Sequence, residues 1–167
     1  VTGIFLGASG SDIYLHDTYF VLAHFHYTFY PIAIIGTFAG FTYWFPKMFG
    51  KHMNETLGKI HFWLTIIAFN GIFLPLFVTG ALGDNRRIPD HQIYPELNTP
   101  LLNGLREMAT IFLLIMLIAQ VIFFYNLITS LLWGKKADKN PWKSNTLEWT
   151  ADSPPPHGNW KELPTVY

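Results

Sequence analysis

The sequence predicts an all-α membrane protein, a polytopic bundle of transmembrane helices. Half of its 167 residues are hydrophobic and only 13% are charged, about half of the ~25% that is typical of soluble domains. Three stretches, residues 18–45, 62–82 and 108–133, contain no Asp, Glu, Lys or Arg. Each exceeds the roughly 20 residues that a helix needs to cross the hydrocarbon core. Because backbone polar groups in lipid must be satisfied within the segment, these stretches are predicted as three spanning helices.

Composition excludes several classes of protein. The formal net charge is +0, which gives no electrostatic case for nucleic-acid binding. The chain has no cysteine, so disulfides, iron–sulfur clusters and thiolate zinc sites are excluded. Its aromatic content of 17% is the opposite of the composition of disordered chains.

The predicted spans divide the chain into three parts. Residues 1–17 are predicted as the end of a preceding helix and an outer loop. Residues 18–133 contain the three helices and a long outer loop at residues 83–107. Residues 134–167 form a polar tail on the inner face. A connection as long as residues 83–107 is usually docked or functional.

Single residues predict some of the boundaries. Pro46 is expected to end the first helix, because the residue before a proline is disfavoured in the helical region. Asn54 is expected to cap the start of the second helix. The tail contains Trp142, Trp149 and Trp160; this aromatic content predicts a docked tail over a disordered one.

The distribution of lysines predicts the orientation. The middle connection carries three arginines, which four carboxylates offset. Cytoplasmic connections carry an excess of Lys and Arg. Both lysine-rich segments and the C-terminus are therefore predicted on the cytoplasmic or matrix side. The lysines of the first connection and of the tail are Lys47, Lys51, Lys59, Lys135, Lys136, Lys139 and Lys143.

Two histidines, His24 and His26, lie within the first apolar span. Ionisable residues are rare in such segments and mark functional sites. At 3.6 residues per turn, positions two apart are about 200° apart around the axis, so the pair fits two cofactors on opposite faces better than one shared metal. Imidazole binds iron, copper and zinc, and a planar cofactor beside a membrane helix indicates heme. The alternative is that each is a neutral imidazole bonded to a neighbouring helix.

Polar residues at the outer end of the same span form a second candidate site. His16 and Asp17 are candidate ligands of a hard cation such as Mg²⁺; the alternative is an Asp favoured by the helix dipole. Arg86 and Arg87, on the same side of the membrane, suit carboxylates such as heme propionates. The alternative for the arginines is a solvated pair.

The run HDTYFVLAHFHY at residues 16–27 resembles the tenth-helix signature of subunit I of the heme–copper oxidases, of the cytochrome c oxidase type. The resemblance covers essentially the whole chain and implies roughly helices ten to twelve of a twelve-helix subunit. Further matching motifs are Trp44-Phe45-Pro46, Lys59-Ile60-His61-Phe62, Arg86-Arg87, Leu147-Glu148-Trp149 and Ser153-Pro154-Pro155-Pro156.

The resemblance implies the identity of the cofactors. His24 would be the proximal ligand of the high-spin heme at which oxygen is reduced, and His26 an axial ligand of the low-spin heme, both hemes being of the A type. The copper opposite the high-spin heme would have its ligands on another chain. His16 and Asp17 would belong to a Mg²⁺ site. Arg86-Arg87 would hold the heme propionates.

The resemblance also implies a function and partners. The chain would be the C-terminal part of the catalytic subunit of a proton-pumping terminal oxidase, which reduces O₂ to water with electrons from cytochrome c. It would be inactive alone, and would need the rest of subunit I on another chain, a copper-bearing electron-entry subunit, other oxidase subunits and membrane lipid. The implied location is the bacterial plasma membrane or the mitochondrial inner membrane. The alternatives are a quinol oxidase and a non-catalytic heme-bearing anchor subunit.

Overall fold

Helices make up nearly all the regular structure. A computed structural model describes residues 1–160, and within this range β-structure is limited to isolated bridges. The predicted all-α fold class is confirmed. The helices are α1 (Thr2–Gly7), α2 (Ser9–Leu15), α3 (Tyr19–Tyr30), α4 (Gly36–Phe49), α5 (Glu55–Ala81) and α6 (Pro100–Trp133), with a π-helical segment at Pro31–Ile35 and 3₁₀ turns at His91–Ile93 and Leu147–Thr150.

Two of these helices, α5 and α6, are long and apolar enough to cross a membrane. Only 44% of the most apolar window of α5 and 22% of that of α6 is buried within the described part of the chain. A core helix of a soluble protein would be mostly buried. The exposed apolar surface of α5 and α6 is therefore the surface expected of helices that face lipid or further protein.

The first predicted span, residues 18–45, is not one continuous α-helix. It is divided into α3, the π-helical segment and α4. Pro31 begins the irregular segment; it has no N–H to donate, and its ring collides with the carbonyl four residues earlier, so the regular hydrogen-bond ladder cannot continue through it. The prediction that Pro46 ends the helix is also wrong. Pro46 lies inside α4, which ends at Phe49.

Other boundaries differ from the predicted ones. Residues 1–17 contain two short helices, α1 and α2, where one helix end and a loop were expected. Helix α6 begins already at Pro100, because a proline suits the first position of a helix. The outer connection is thus shorter than residues 83–107. The predicted cap at Asn54 is confirmed: its side-chain oxygen accepts from the Leu57 amide at 3.1 Å.

Residues 1–35 and 62–119 form one compact unit. Tyr27 Oη donates to Asn70 Oδ1 at 2.7 Å. A side chain on Gly80 would collide with the backbone of Phe20, so the end of α5 approaches the head of α3 closely only because residue 80 is a glycine. The buried apolar residues are Ala23, Ala68, Phe69, Ile72, Phe73, Leu76 and Met116.

Residues 36–61 and 120–167 form a second unit, described as far as residue 160. Here the tail packs on α4. Trp149 is 1% exposed and donates from Nε1 to Tyr43 Oη at 2.8 Å, and Trp142 Nε1 donates to Tyr43 O at 2.9 Å. Trp160 Nε1 donates to Thr150 Oγ1 at 2.9 Å. The prediction of a docked tail is confirmed for the described residues.

Candidate functional site

The candidate site is built around the head of α3. Thr18 caps this helix: its Oγ1 accepts from the Phe20 amide at 3.2 Å and donates to Leu15 O at 2.7 Å. Thr18 is buried and forms an antiparallel bridge with Asn85. The helix that carries the two histidines therefore starts at a position that the outer connection holds in place.

The ring of His26 is oriented by its own helix. Nδ1 lies 2.8 Å from the carbonyl oxygen of Leu22, one turn earlier. A carbonyl only accepts, so Nδ1 carries the proton and donates it, which leaves the lone pair of Nε2 available to a metal. The ring also stacks on Phe73, with centroids 4.4 Å apart and planes at 19°. Such a bond on the second nitrogen is what metal-ligating histidines usually make.

The ring of His24 has a partner in a different helix. Its Nδ1 lies 2.8 Å from Thr2 Oγ1 in α1. A Cβ added to Gly3 would lie 3.2 Å from His24 Cε1, so a larger residue there would require the ring or α1 to shift by a few tenths of an ångström. A threonine hydroxyl can accept the Nδ1 proton, which again leaves Nε2 as the possible ligand atom. The contact with α1 is also what the alternative predicts, a polar bond from a neutral imidazole to a neighbouring helix. It occupies only one of the two ring nitrogens, Nδ1.

The two histidines thus contact different elements. His24 contacts α1 and His26 stacks on α5. Spacing predicts two ligand positions on opposite faces of one helix, and this separation of contacts fits that geometry. The donor chemistry of both rings therefore suits a heme iron, with one ring per iron.

The structure brings Asp17 and Arg86 together. Arg86 donates to Asp17 Oδ1 from Nη2 at 2.6 Å and from Nε at 3.0 Å, and the Arg86 amide donates to Asp17 O at 2.9 Å. The hydrogen bond from Arg86 lowers the pKa of the Asp17 carboxyl, and the charge of His16 lowers this pKa further. Asp17 thus faces Arg86, and it directly precedes Thr18, the cap of α3, so its position near the helix N-terminus also fits the dipole alternative.

The other predicted outer residues are more open. His16 Nε2 lies 3.5 Å from Asp17 Oδ2, and the His16 side chain is 68% exposed. No group of three His or acidic side chains that could hold a metal occurs among residues 1–160, so His16 and Asp17 supply part of a cation site at most. Arg87 is exposed and has a φ of 68°. Arg86 and Arg87 therefore do not act as one fork: the first is bonded to Asp17, and the second faces outward.

A buried ionic cluster lies close by, and inspection of the sequence did not identify it as a site. Asp84 is 0% exposed; its Oδ2 accepts from Arg106 Nε at 3.0 Å, and its Oδ1 lies 3.3 Å from His91 Nε2. One sequence signal could have indicated the pair. Asp84 follows the second apolar stretch and Arg106 precedes the third, so the two charges stand at the same end of antiparallel spans.

Fold and site together define a class, a helical membrane protein with two ligand-type histidines inside an apolar helix. A family model described as cytochrome c and quinol oxidase polypeptide I matches residues 1–115. The chain belongs to this family, subunit I of the heme–copper oxidases, and the predicted resemblance is confirmed.

Named relatives agree. The chain is 40% identical over 172 residues to the alternative cytochrome c oxidase subunit 1 of Bradyrhizobium diazoefficiens, covering 100% of the chain and 28% of that protein. It is 40% identical over 166 residues to cytochrome c oxidase subunit 1 of Thermostichus vulcanus, covering 99% and 29%. For the Synechocystis protein of the same name the identity is 38% over 168 residues, covering 100% and 29%. The chain thus spans less than a third of the length of these relatives.

Proposed function

We propose that this chain is the C-terminal part of the catalytic subunit of a proton-pumping terminal oxidase, which reduces O₂ to water with electrons from cytochrome c. The relatives are named as subunits of cytochrome c oxidases. The observation that carries the proposal is the state of the two histidines. His24 and His26 each have a partner for Nδ1, and this leaves two Nε2 atoms for two irons.

In this proposal the chain orients two heme ligands. His24 would hold the high-spin heme and His26 the low-spin heme, both of the A type; bound there, these hemes supply electron transfer and oxygen-binding iron. The Leu22 carbonyl keeps the proton of His26 on Nδ1 and fixes the plane of the ring. The Thr2 hydroxyl would accept a hydrogen bond from Nδ1 of His24 and hold that ring in a similar way.

The outer residues would hold the charged edges of the site. Arg87, which is exposed, would contact a heme propionate directly, whereas Arg86 would share its donors between Asp17 and a propionate. His16 and Asp17 would supply two ligands of a Mg²⁺ ion, which commonly keeps several waters. The exposed position of His16 leaves room for those waters.

The chain would require partners. The resemblance implies three imidazoles for the hemes and three for copper, whereas the predicted spans of this chain contain two. A pocket must also enclose most of a bound cofactor, which these helices alone cannot do for two hemes. We therefore infer a complex with the rest of subunit I, which would carry the copper ligands, and with a copper-bearing electron-entry subunit, other oxidase subunits and cytochrome c. The chain alone would be inactive.

Lysine placement supports the proposed orientation. Both lysine-rich connections and the C-terminus would lie on the cytoplasmic side of a bacterial plasma membrane, or on the matrix side of the mitochondrial inner membrane. The outer end of α3, with Arg86 and Arg87, would face the opposite side.

The test is a comparison of two variants in the assembled complex. His24→Ala is expected to abolish carbon monoxide binding at the high-spin heme and to leave the low-spin spectrum in place. His26→Ala is expected to remove the low-spin signal. His157→Ala, at an exposed position of the tail, is the matched control and is expected to change neither spectrum.

Loss of one shared signal in both variants would contradict the assignment of one heme to each histidine. A complex without any high-spin signal would instead favour a non-catalytic, heme-bearing anchor. Quinol is the alternative donor, because the matching family description names both oxidase types. Oxygen uptake with reduced cytochrome c and with a quinol, measured in parallel, separates these two.

A further inference from the structure

We propose that Asp84 is a positioning residue for the arginine pair, and that its buried ion pair with Arg106 sets where Arg86 and Arg87 stand relative to helix α3. This inference rests on the proposed function, because the arginines matter here as the groups that would hold the heme propionates. The four residues and α3 belong to the same compact unit.

The ion pair between Asp84 and Arg106 has a well-defined geometry. The side chain of Asp84 is 0% exposed and that of Arg106 is 19% exposed. Arg106 donates from Nε to Asp84 Oδ2 at 3.0 Å, from Nη2 to Leu97 O at 2.9 Å and from Nη1 to Asn103 Oδ1 at 2.9 Å. Three bonds in different directions orient the guanidinium, so its Nε is directed at the Asp84 carboxylate.

The backbone of Asp84 forms hydrogen bonds to two helices. Its amide donates to Thr79 O at 3.0 Å, and its carbonyl accepts from the Tyr19 amide at 3.0 Å. Thr79 lies near the end of α5, and Tyr19 is the first residue of α3. Asp84 therefore joins the ends of two helices through its backbone and a third helix, α6, through its side chain.

The residues that follow Asp84 connect it to the arginine pair. Asn85 forms the bridge with Thr18, and the next amide, of Arg86, donates to Asp17 O. Asp17 and Arg87 both have positive φ values, 57° and 68°, which L-residues adopt only where the surroundings impose them. A shift of Asp84 would thus move the bridge and both guanidinium groups.

The Asp84 carboxylate also lies near an imidazole, that of His91. His91 Nε2 lies 3.3 Å from Asp84 Oδ1, but the two buried atoms form no hydrogen bond. Among the described residues, Arg106 is therefore the side chain that hydrogen-bonds the carboxylate, at Oδ2, whereas Oδ1 has no hydrogen-bond partner. Replacing Asp84 by Asn removes the counter-charge of the partly buried Arg106 guanidinium, so the contact that holds the loop is expected to weaken.

The experiment uses the intact complex and follows the redox midpoint potentials of the hemes together with infrared difference bands of propionate. Asp84→Asn is expected to shift the potentials in the same direction as Arg86→Gln and to perturb the propionate bands, whereas the ligand spectra of both hemes persist. The matched control is Glu96→Gln, an exposed carboxyl of the same loop, which is expected to shift nothing. If Asp84→Asn does not assemble, Asp84→Glu keeps the charge and displaces the turn by one methylene, and the same shift is expected.

Two outcomes separate the possible failures. If Asp84→Asn, or Asp84→Glu in its place, assembles in lower yield with unchanged potentials and propionate bands, Asp84 is only structural and the inference is overturned. If Arg86→Gln and Arg87→Gln also leave the potentials and bands unchanged, the role of the arginines in the proposed function fails as well.

Discussion

The two units of the chain bury a charge in different ways. In the first, the Asp84 carboxylate faces the Arg106 guanidinium at 3.0 Å. In the second, Lys47 Nζ donates to Ala151 O at 2.7 Å and lies 4.9 Å from the centre of the Trp149 ring. The first charge has an opposite charge in direct contact, whereas the second contacts a backbone carbonyl and an aromatic face, and the Asp152 and Glu148 carboxylates act on it only through their electrostatic field.

The two units should therefore respond differently to substitution. Removing one member of a buried ion pair leaves an uncompensated charge, which is expensive. Removing a lysine whose direct contacts are backbone carbonyls and a ring leaves neutral groups at the site, and the main loss is that of the hydrogen bonds and the cation–π contact. The outer connection should therefore be more sensitive to single substitutions than the docked tail.

The largest effect is expected for Arg106. Arg106→Met should destabilise the complex by about 3–5 kcal/mol, because it leaves Asp84 charged and buried. The double variant Asp84→Leu with Arg106→Met should recover most of this loss. Thermal inactivation of the solubilised complex measures both. A double variant no more stable than Arg106→Met would contradict the ion-pair explanation, and the proposed difference between the two units would not hold.

A smaller effect is expected for Lys47. Lys47→Met should cost about 1.5–3 kcal/mol, the range for hydrogen bonds that involve a charged group, and should loosen the tail. Limited proteolysis of residues 134–160 is the measurement. Lys139→Met is the control, because Lys139 forms an exposed pair with Asp152 and such pairs contribute little. Equal cleavage in both variants would show that Lys47 does not hold the tail.

The smallest effect concerns Glu148 in the tail. Hydrogen bonds from its own amide and from the Thr146 side chain lower the pKa of Glu148, so the folded state favours the carboxylate. The stabilisation is present above the usual Glu range and is lost as the pH falls through the lowered pKa. In Glu148→Gln the docking of the tail should lose this acid dependence. Proteolysis of the tail from neutral to acidic pH measures it, and an unchanged pH profile would refute the prediction.

Much of the fold could be predicted because its signals are local. Helices α5 and α6 follow from uninterrupted apolar runs, and Asn54 caps its helix through a contact three residues away. The division of the first span was not predicted: a proline is visible in the sequence, but whether it ends, kinks or widens a helix depends on packing. Pro31 starts a π-helical segment, whereas Pro46 is accommodated within α4.

The candidate site could likewise be predicted only in part from the sequence. The spacing of His24 and His26 was sufficient to predict two ligand positions on one helix, because helical geometry alone separates them. Their Nδ1 partners, Thr2 and Leu22, required the structure. The pairing of Arg86 with Asp17 joins residues far apart in the chain, and no local pattern indicates it.

Local sequence is sufficient to show that this chain is helical and apolar, and it predicts three membrane-spanning segments and two metal-binding histidines. These properties follow from local composition and from the fixed period of a helix, which hold wherever the segment is placed. Only the tertiary structure decided that Asp84 meets Arg106, that Arg86 meets Asp17 and that the tail docks through Trp149. A charged group or an indole can pair with many different partners. Which partner it contacts depends on which groups are buried next to each other when the chain folds.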